Sequence, residues 1–240
     1  MRLLTRLGIP LIILLAIYFV AGYFLGSLPI ASDLLGTNKP KDLGVELSTD
    51  SAYQGLANLN HPTTIPELQA IVNNPESFTS VKSSLTNAEA SSLIATTEMP
   101  IKLVQIRFGD GGKVESSGMI DVNGLEDMMG SIGASNEAIN TVMDYVSNVD
   151  WMIYYVSGEC SIINNRVSLD IEEIELGRIS VPDSVREQLD NNMGAVENYV
   201  SNALTGQGFN IRELSISEDK VNLDLDRPLG SMGPWLKYVQ

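Results

Sequence analysis

The chain has 240 residues, enough for one domain of ordinary size or two small ones. Its 30 acids outnumber its 15 Lys and Arg; from Asp33 on, 13 cations face 30 acids, a formal charge of −17, which excludes a generic nucleic-acid binder with its basic stripe. A hydrophobic content of 44% is too high for a disordered acidic chain, and a single Cys and a single His exclude an intrachain disulfide framework and a Cys/His zinc cluster.

From Leu7 to Ser32 no residue is charged, a run of 26 residues with the apolar core Leu11 to Val20. A bilayer needs about 20 apolar residues in a helix, and a secretory apolar region is shorter, about 7–15. The run therefore predicts a transmembrane anchor over residues 1–32, counting its short cytoplasmic stub. The small residues at Ala31-Ser32 leave peptidase cleavage open; a lipobox is excluded, since the only Cys is Cys160. Arg2 and Arg6 precede the span, and an acidic region follows it. Positive charge stays inside, so the C-terminal part is expected outside the cytoplasm, on a single-pass protein of the cell membrane.

Residues 33–47 read as a tether, 48–227 as an extracytoplasmic α+β domain and 228–240 as a C-terminal tail with Trp235, Leu236 and Tyr238. Ser48-Thr49-Asp50 can cap a short helix through Tyr53, Leu56 and Leu59. Residues 60–80, with Pro62, Pro66 and Pro75, read as a loop holding one short helix over Pro66–Val72. Thr86 with Glu89 three residues later is a capping box, opening a helix to about Ala95. Ile101–Phe108 and Lys113–Val122 alternate as strands about the turn Gly109-Asp-Gly-Gly112. A long helix is predicted over Leu125–Val149. Trp151–Ile163 and Arg166–Leu176 follow as a hairpin joined by Asn164-Asn165, with Val167, Leu169 and Ile171 on one face and Ser168, Asp170 and Glu172 on the other. Val181-Pro-Asp183 opens a helix whose stripe is Val185, Leu189, Met193, Val196, Val200 and Leu204, closed by Gly206 and Gly208. Phe209–Ser217 and Lys220–Asp226 form a last hairpin. A helix–hairpin unit thus occurs three times, over 84–122, 125–176 and 183–226. The fold class is α+β: an antiparallel curved sheet with the long amphipathic helices on its inner face.

Catalytic chemistry leaves little trace. His61 has no nucleophile motif beside it, and no Gly-x-Ser-x-Gly elbow or Walker triplet occurs. Cys160 sits next to Glu159 in an apolar-flanked strand, a setting that does not favour a thiolate. Glu172, Glu173 and Glu175 cluster, as do Asp224 and Asp226, but strand alternation accounts for them as solvated faces. No enzyme activity, metal or cofactor is expected.

Four segments together carry a resemblance: the N-terminal span followed by Pro40-Lys-Asp-Leu-Gly-Val45; the helix start Ser84-Leu-Thr-Asn-Ala-Glu-Ala90; Pro100-Ile-Lys-Leu-Val-Gln-Ile-Arg107 before a Gly-rich turn; and Glu175-Leu-Gly-Arg-Ile-Ser-Val-Pro182 before a long helix and a final hairpin. This layout resembles the bacterial membrane-anchored extracytoplasmic proteins of the YpmS-like and LmeA-like kind, which are similar to tubular lipid-binding (TULIP-like) folds. The resemblance covers most of residues 40–226 and implies an apolar groove for a lipid or lipid-linked glycan; it carries over no catalytic residue. The groove candidates are Ile106, Phe108, Met128, Met129, Met143, Tyr154, Val156, Met193, Val196 and Val200, with methionines suited to irregular apolar ligands. Expected partners are the membrane and a lipid or an envelope protein. The competing expectation is a non-catalytic envelope scaffold whose apolar stripes form a dry core; a carboxylate-dependent hydrolase of envelope glycans ranks last. The acidic surface disfavours adhesion to anionic headgroups, so the anchor is expected to hold the domain at the membrane.

Overall fold

The structure is a computed structural model that describes residues 38–61, 78–96, 101–124, 150–181, 183–206 and 208–228, together with 126, 139, 140 and 143. The predicted anchor, the helix over Pro66–Val72, almost all of the helix over Leu125–Val149, the Val185 side chain and the tail after Pro228 lie outside the described residues. Among the described residues, no helix is long and apolar enough to cross a membrane.

Helix α1 (Thr49–Asn58) starts where the Ser48 hydroxyl accepts the Ser51 N–H. Strand β1 (Phe78–Thr86) runs directly into α2 (Asn87–Ala95). The predicted capping box is present in full: Thr86 Oγ1 accepts from Glu89 N, and Thr86 N donates to Glu89 Oε2. Strands β2 (Ile101–Phe108) and β3 (Lys113–Asp121) flank a short 3-10 turn at Asp110–Gly112. Strands β4 (Trp151–Ile163) and β5 (Arg166–Leu176) have the predicted limits, and Asn164 and Asn165 take φ of 51° and 61° between them. A two-residue β6 (Ile179–Ser180), helix α3 (Asp183–Gly206) and the hairpin β7 (Asn210–Ser217) and β8 (Lys220–Pro228) complete the order. Of the three helix–hairpin units, the first and third have their helix and both strands among the described residues, as α2–β2–β3 and α3–β7–β8.

All strand pairs are antiparallel, in the order β1-β8-β7-β4-β3-β2, with β5 beside β4 and β6 beside β5. The sheet is not closed. β1 corrects the end of the expected loop, at residues 78–80 (residues 62–77 lie outside the described residues): only Phe78, Val81 and Leu85 are large and apolar in it, and it is a strand because β8 supplies its partner, with Val81 opposite Leu225 and Leu85 opposite Val221.

The helices do more than cover the sheet; they occupy its edges. Along β5, Val167 N–H donates to Ser201 Oγ, Leu169 N–H to Glu197 Oε1, and Arg186 donates to the Ile171 carbonyl, all from α3. Along β2, Ser91 of α2 accepts from Ile106 N at 2.7 Å and donates to Ile106 O, and Asn87 accepts from Phe108 N. Along β1, Asn58 and Asn60 donate to the Ser84 and Ser80 carbonyls. Groups that would otherwise template another strand are thus answered internally. The expected arrangement places the long helices on the inner face; these contacts add the sheet edges to it.

The main core joins Leu56, Val81, Leu85, Leu93, Phe108, Ile162, Val167, Ile211, Val221, Leu223 and Leu225, each side chain worth about 1.5–3 kcal/mol when fully buried. A second, smaller cluster holds Ile120, Val122 and Met152. Arg227 is 2% exposed; its Nε and Nη2 donate to the carbonyls of Leu59 and Asn60 at the end of α1, where a cation meets the negative end of the helix.

Candidate functional site

Directly paired residues of neighbouring strands share a face. Ile106 pairs with Ser116, Ser116 with Val156 and Val156 with Ile174; Phe108 pairs with Val114, and Gly118 with Tyr154. Four of the predicted groove residues, Ile106, Phe108, Tyr154 and Val156, therefore lie on one face of the sheet.

They do not belong to one packing unit. Phe108 is inside the main core, and Ile106 and Val200 pack against it. Tyr154 and Met143 pack against the second cluster. Between the two clusters runs the row Ser116–Val156–Ile174, half-buried and, among the described residues, in neither. Met193 and Val196 of α3 are likewise half-buried and outside both clusters. Met128 and Met129 lie outside the described residues.

One polar pair interrupts this apolar face. Tyr154 Oη and Ser116 Oγ are 3.1 Å apart. Burial pushes the Tyr154 phenol up, partly offset by its hydrogen bond with Ser116, so it is neutral at ordinary pH and offers either a donor or an acceptor. Gly118 leaves the room for the ring: a Cβ there would stand 2.9 Å from Tyr154 Cε1.

Ile174 also lines a cleft of about 340 Å³ at the outer edge of β5, shared with Val181, Leu189, Glu173, Asp183 and Arg186. Along the cleft β5 carries an extra residue: Ser157 pairs with Glu173 and Gly158 with Ile171, leaving Glu172 unopposed. Sequence reasoning placed neither Ser116, Ile174 nor Leu189 at a site. The signal for Ile174 was present, because the apolar alternation Leu169, Ile171 skips to Ile174 across two acids, the pattern of a bulge.

Several of the remaining chemical groups are held in structural contacts. Asp224 and Asp226 are held by Arg212 at 2.5 and 2.6 Å, and Glu172 pairs with Lys113 at 3.2 Å. The Arg212 hydrogen bond holds the Asp226 carboxyl below the usual carboxylate range. Burial pushes the half-buried Cys160 thiol up, away from thiolate chemistry. His61 is buried at the end of α1, where its main-chain N–H donates to the Leu56 carbonyl. Among the described residues, no group of three or more His, Cys, Asp and Glu could hold a metal ion. Comparison with protein-family models, with curated proteins and with solved structures finds no match.

Proposed function

We propose that the protein is a membrane-anchored, extracytoplasmic protein of the cell envelope that holds a lipid or lipid-linked glycan against the inner face of its sheet, and that it is not an enzyme. In this reading the sheet curves around the helices, and the seam between its two apolar clusters is the groove. The observation that carries the reading is the row Ser116–Val156–Ile174, a half-buried strip between two separately packed clusters with the Tyr154–Ser116 hydroxyl pair beside it. Acyl chains suit the strip; a hydroxyl pair suits a glycerol or sugar oxygen.

A second reading has its own support. Phe108, Ile106 and Val200 belong to or pack on the continuous main core, as a scaffold with a dry interior requires. Native mass spectrometry of residues 38–240, beside an organic extract of the same sample, separates the two. A bound mass that extracts as lipid supports the groove. An apo mass, with an envelope protein captured by crosslinking in its native membrane, supports the scaffold.

A further inference from the structure

The segment expected to be a free tether is docked. Leu43 is buried, and its N–H donates to Gln105 Oε1 of β2 at 2.6 Å. Lys41 places its ammonium 3.5 Å from the Tyr155 ring centroid, and Lys102 sits 3.6 Å over Trp151. Tyr155, Trp151, Lys102 and Gln105 share one face through their strand pairings, opposite to the candidate groove. The tether is therefore bound to the outer face of β2–β3–β4.

Beside it lies an unusual residue. Leu103 has φ of +53° at the β2 bulge and is 53% exposed. A bulky side chain seldom adopts this backbone region, and such an outlier is a pointer to function. The bulge directs a large apolar side chain to solvent next to Lys102. β2 carries Lys102 and Arg107, the latter paired with Glu115, and residues 38–41 carry Lys39 and Lys41 just ahead of Asp42, in a chain with a net charge of −15.

We propose that this corner, Leu103 with Lys102, Lys39 and Lys41, rests on the phospholipid headgroup layer of the membrane in which the chain is anchored. The inference rests on the anchor reading above. Residues 33–40 extend at most about 28 Å, at ~3.5 Å per residue, so a span ending at residue 32 holds the docked Lys41 close to the bilayer. Trp151 is about 13 Å from Tyr155 along β4, which keeps Leu103, beside Lys102, within about 41 Å of the end of the span. The acidic domain is repelled by anionic headgroups, whereas the three lysines of this corner, beside the neighbouring Asp42 and Asp121, are attracted to them. The lysines then meet lipid phosphates, and Leu103 enters the boundary between headgroups and acyl chains. The opposite face, with the groove, is left open to the envelope.

The test uses the full chain reconstituted in phosphatidylethanolamine–phosphatidylglycerol vesicles, with a nitroxide at Leu103→Cys or at Ile163→Cys, in a Cys160→Ser background. Ile163 is 59% exposed and lies far along the sheet from the tether. The expected result is co-flotation with the vesicles and a severalfold lower collision rate with an aqueous nickel chelate at position 103 than at 163. Lys41→Gln with Lys102→Gln should raise the rate at position 103. Co-flotation with equal rates at the two positions overturns the proposal and leaves the anchor intact. Protection at 103 that is indifferent to the two lysines overturns the headgroup contact. Failure to co-float removes the anchor, and the proposal with it.

Discussion

Asn87 and Asp219 lie 132 residues apart in sequence and hold each other twice: Asn87 N–H donates to the Asp219 carbonyl at 3.2 Å, and Asn87 Nδ2 donates to Asp219 Oδ1 at 3.1 Å. Phe108 completes the junction, because its N–H donates to Asn87 Oδ1 and its carbonyl accepts from Asp219 N–H. One residue at the start of α2 thus ties the end of β2 to the β7–β8 turn, and so brings the two ends of an unclosed sheet together.

Replacement of Asn87 by Ala should cost about 2 kcal/mol, the loss of two side-chain hydrogen bonds including one to a partly buried N–H. Asn87→Asp keeps the acceptor for Phe108 but places a carboxylate against Asp219. It should therefore be rescued in part by Asp219→Asn. Urea denaturation of the four proteins in a double-mutant cycle checks this; strict additivity would show that the pair is not coupled.

Thr86→Ala removes the α2 cap and should cost about 1 kcal/mol, whereas Thr86→Ser should cost much less. The cap matters beyond its own helix, since Glu89 also accepts from Asn58 Nδ2 of α1. The same urea midpoints test the ordering.

At Gly158 a Cβ would stand 2.1 Å from the Asp170 carbonyl oxygen, opposite the β5 bulge. Gly158→Ala must push the two strands apart and should cost about 3 kcal/mol. Amide exchange should accelerate in β5 before it does in β8. Uniform loss of protection would place the strain elsewhere.

The Tyr155 phenol is pushed up to about 12, by burial first and then by the hydrogen bond it donates to Glu115 Oε1 at 2.7 Å. Burial also raises the Glu115 carboxyl, but the Tyr155 hydrogen bond and the Arg107 guanidinium together outweigh it, and Glu115 lies below its ordinary value. The signs follow. Tyr155 contributes stability that is complete below its unfolded value of about 10 and fades as pH rises toward about 12. Glu115 contributes stability that is present above its unfolded value of about 4.3 and fades as pH falls through its folded value. Tyr155→Phe should therefore destabilise at neutral pH, and its deficit should narrow between about pH 10 and about pH 12. A deficit that widens there, in denaturant midpoints taken across pH, would reverse the assignment.

Much of the fold was legible because some segments carry their whole instruction locally. Asn164-Asn165 tolerates two successive left-handed residues, so the β4–β5 hairpin could be bounded from sequence. Thr86 and Glu89 cap α2 with no help from afar. β1 was hidden because Val81 and Leu85 are four residues apart and show no two-residue alternation; the strand is made by β8. The docked tether was hidden for a similar reason, since Leu43 is buried by Gln105 and its neighbours 62 residues away. At the candidate site, strand register brings Ile106, Phe108, Tyr154 and Val156 to one face. Strand alternation gave no way to see that, among the described residues, this face divides into two clusters.

The groove is tested most directly by filling it. Native mass spectra of residues 38–240 should be compared for the wild type, Val156→Trp and Ile163→Trp. The account predicts a lipid-bearing species in the wild type and in Ile163→Trp, and its loss in Val156→Trp with an unchanged unfolding midpoint. A bound lipid that survives in Val156→Trp, or its absence from all three proteins, would contradict it.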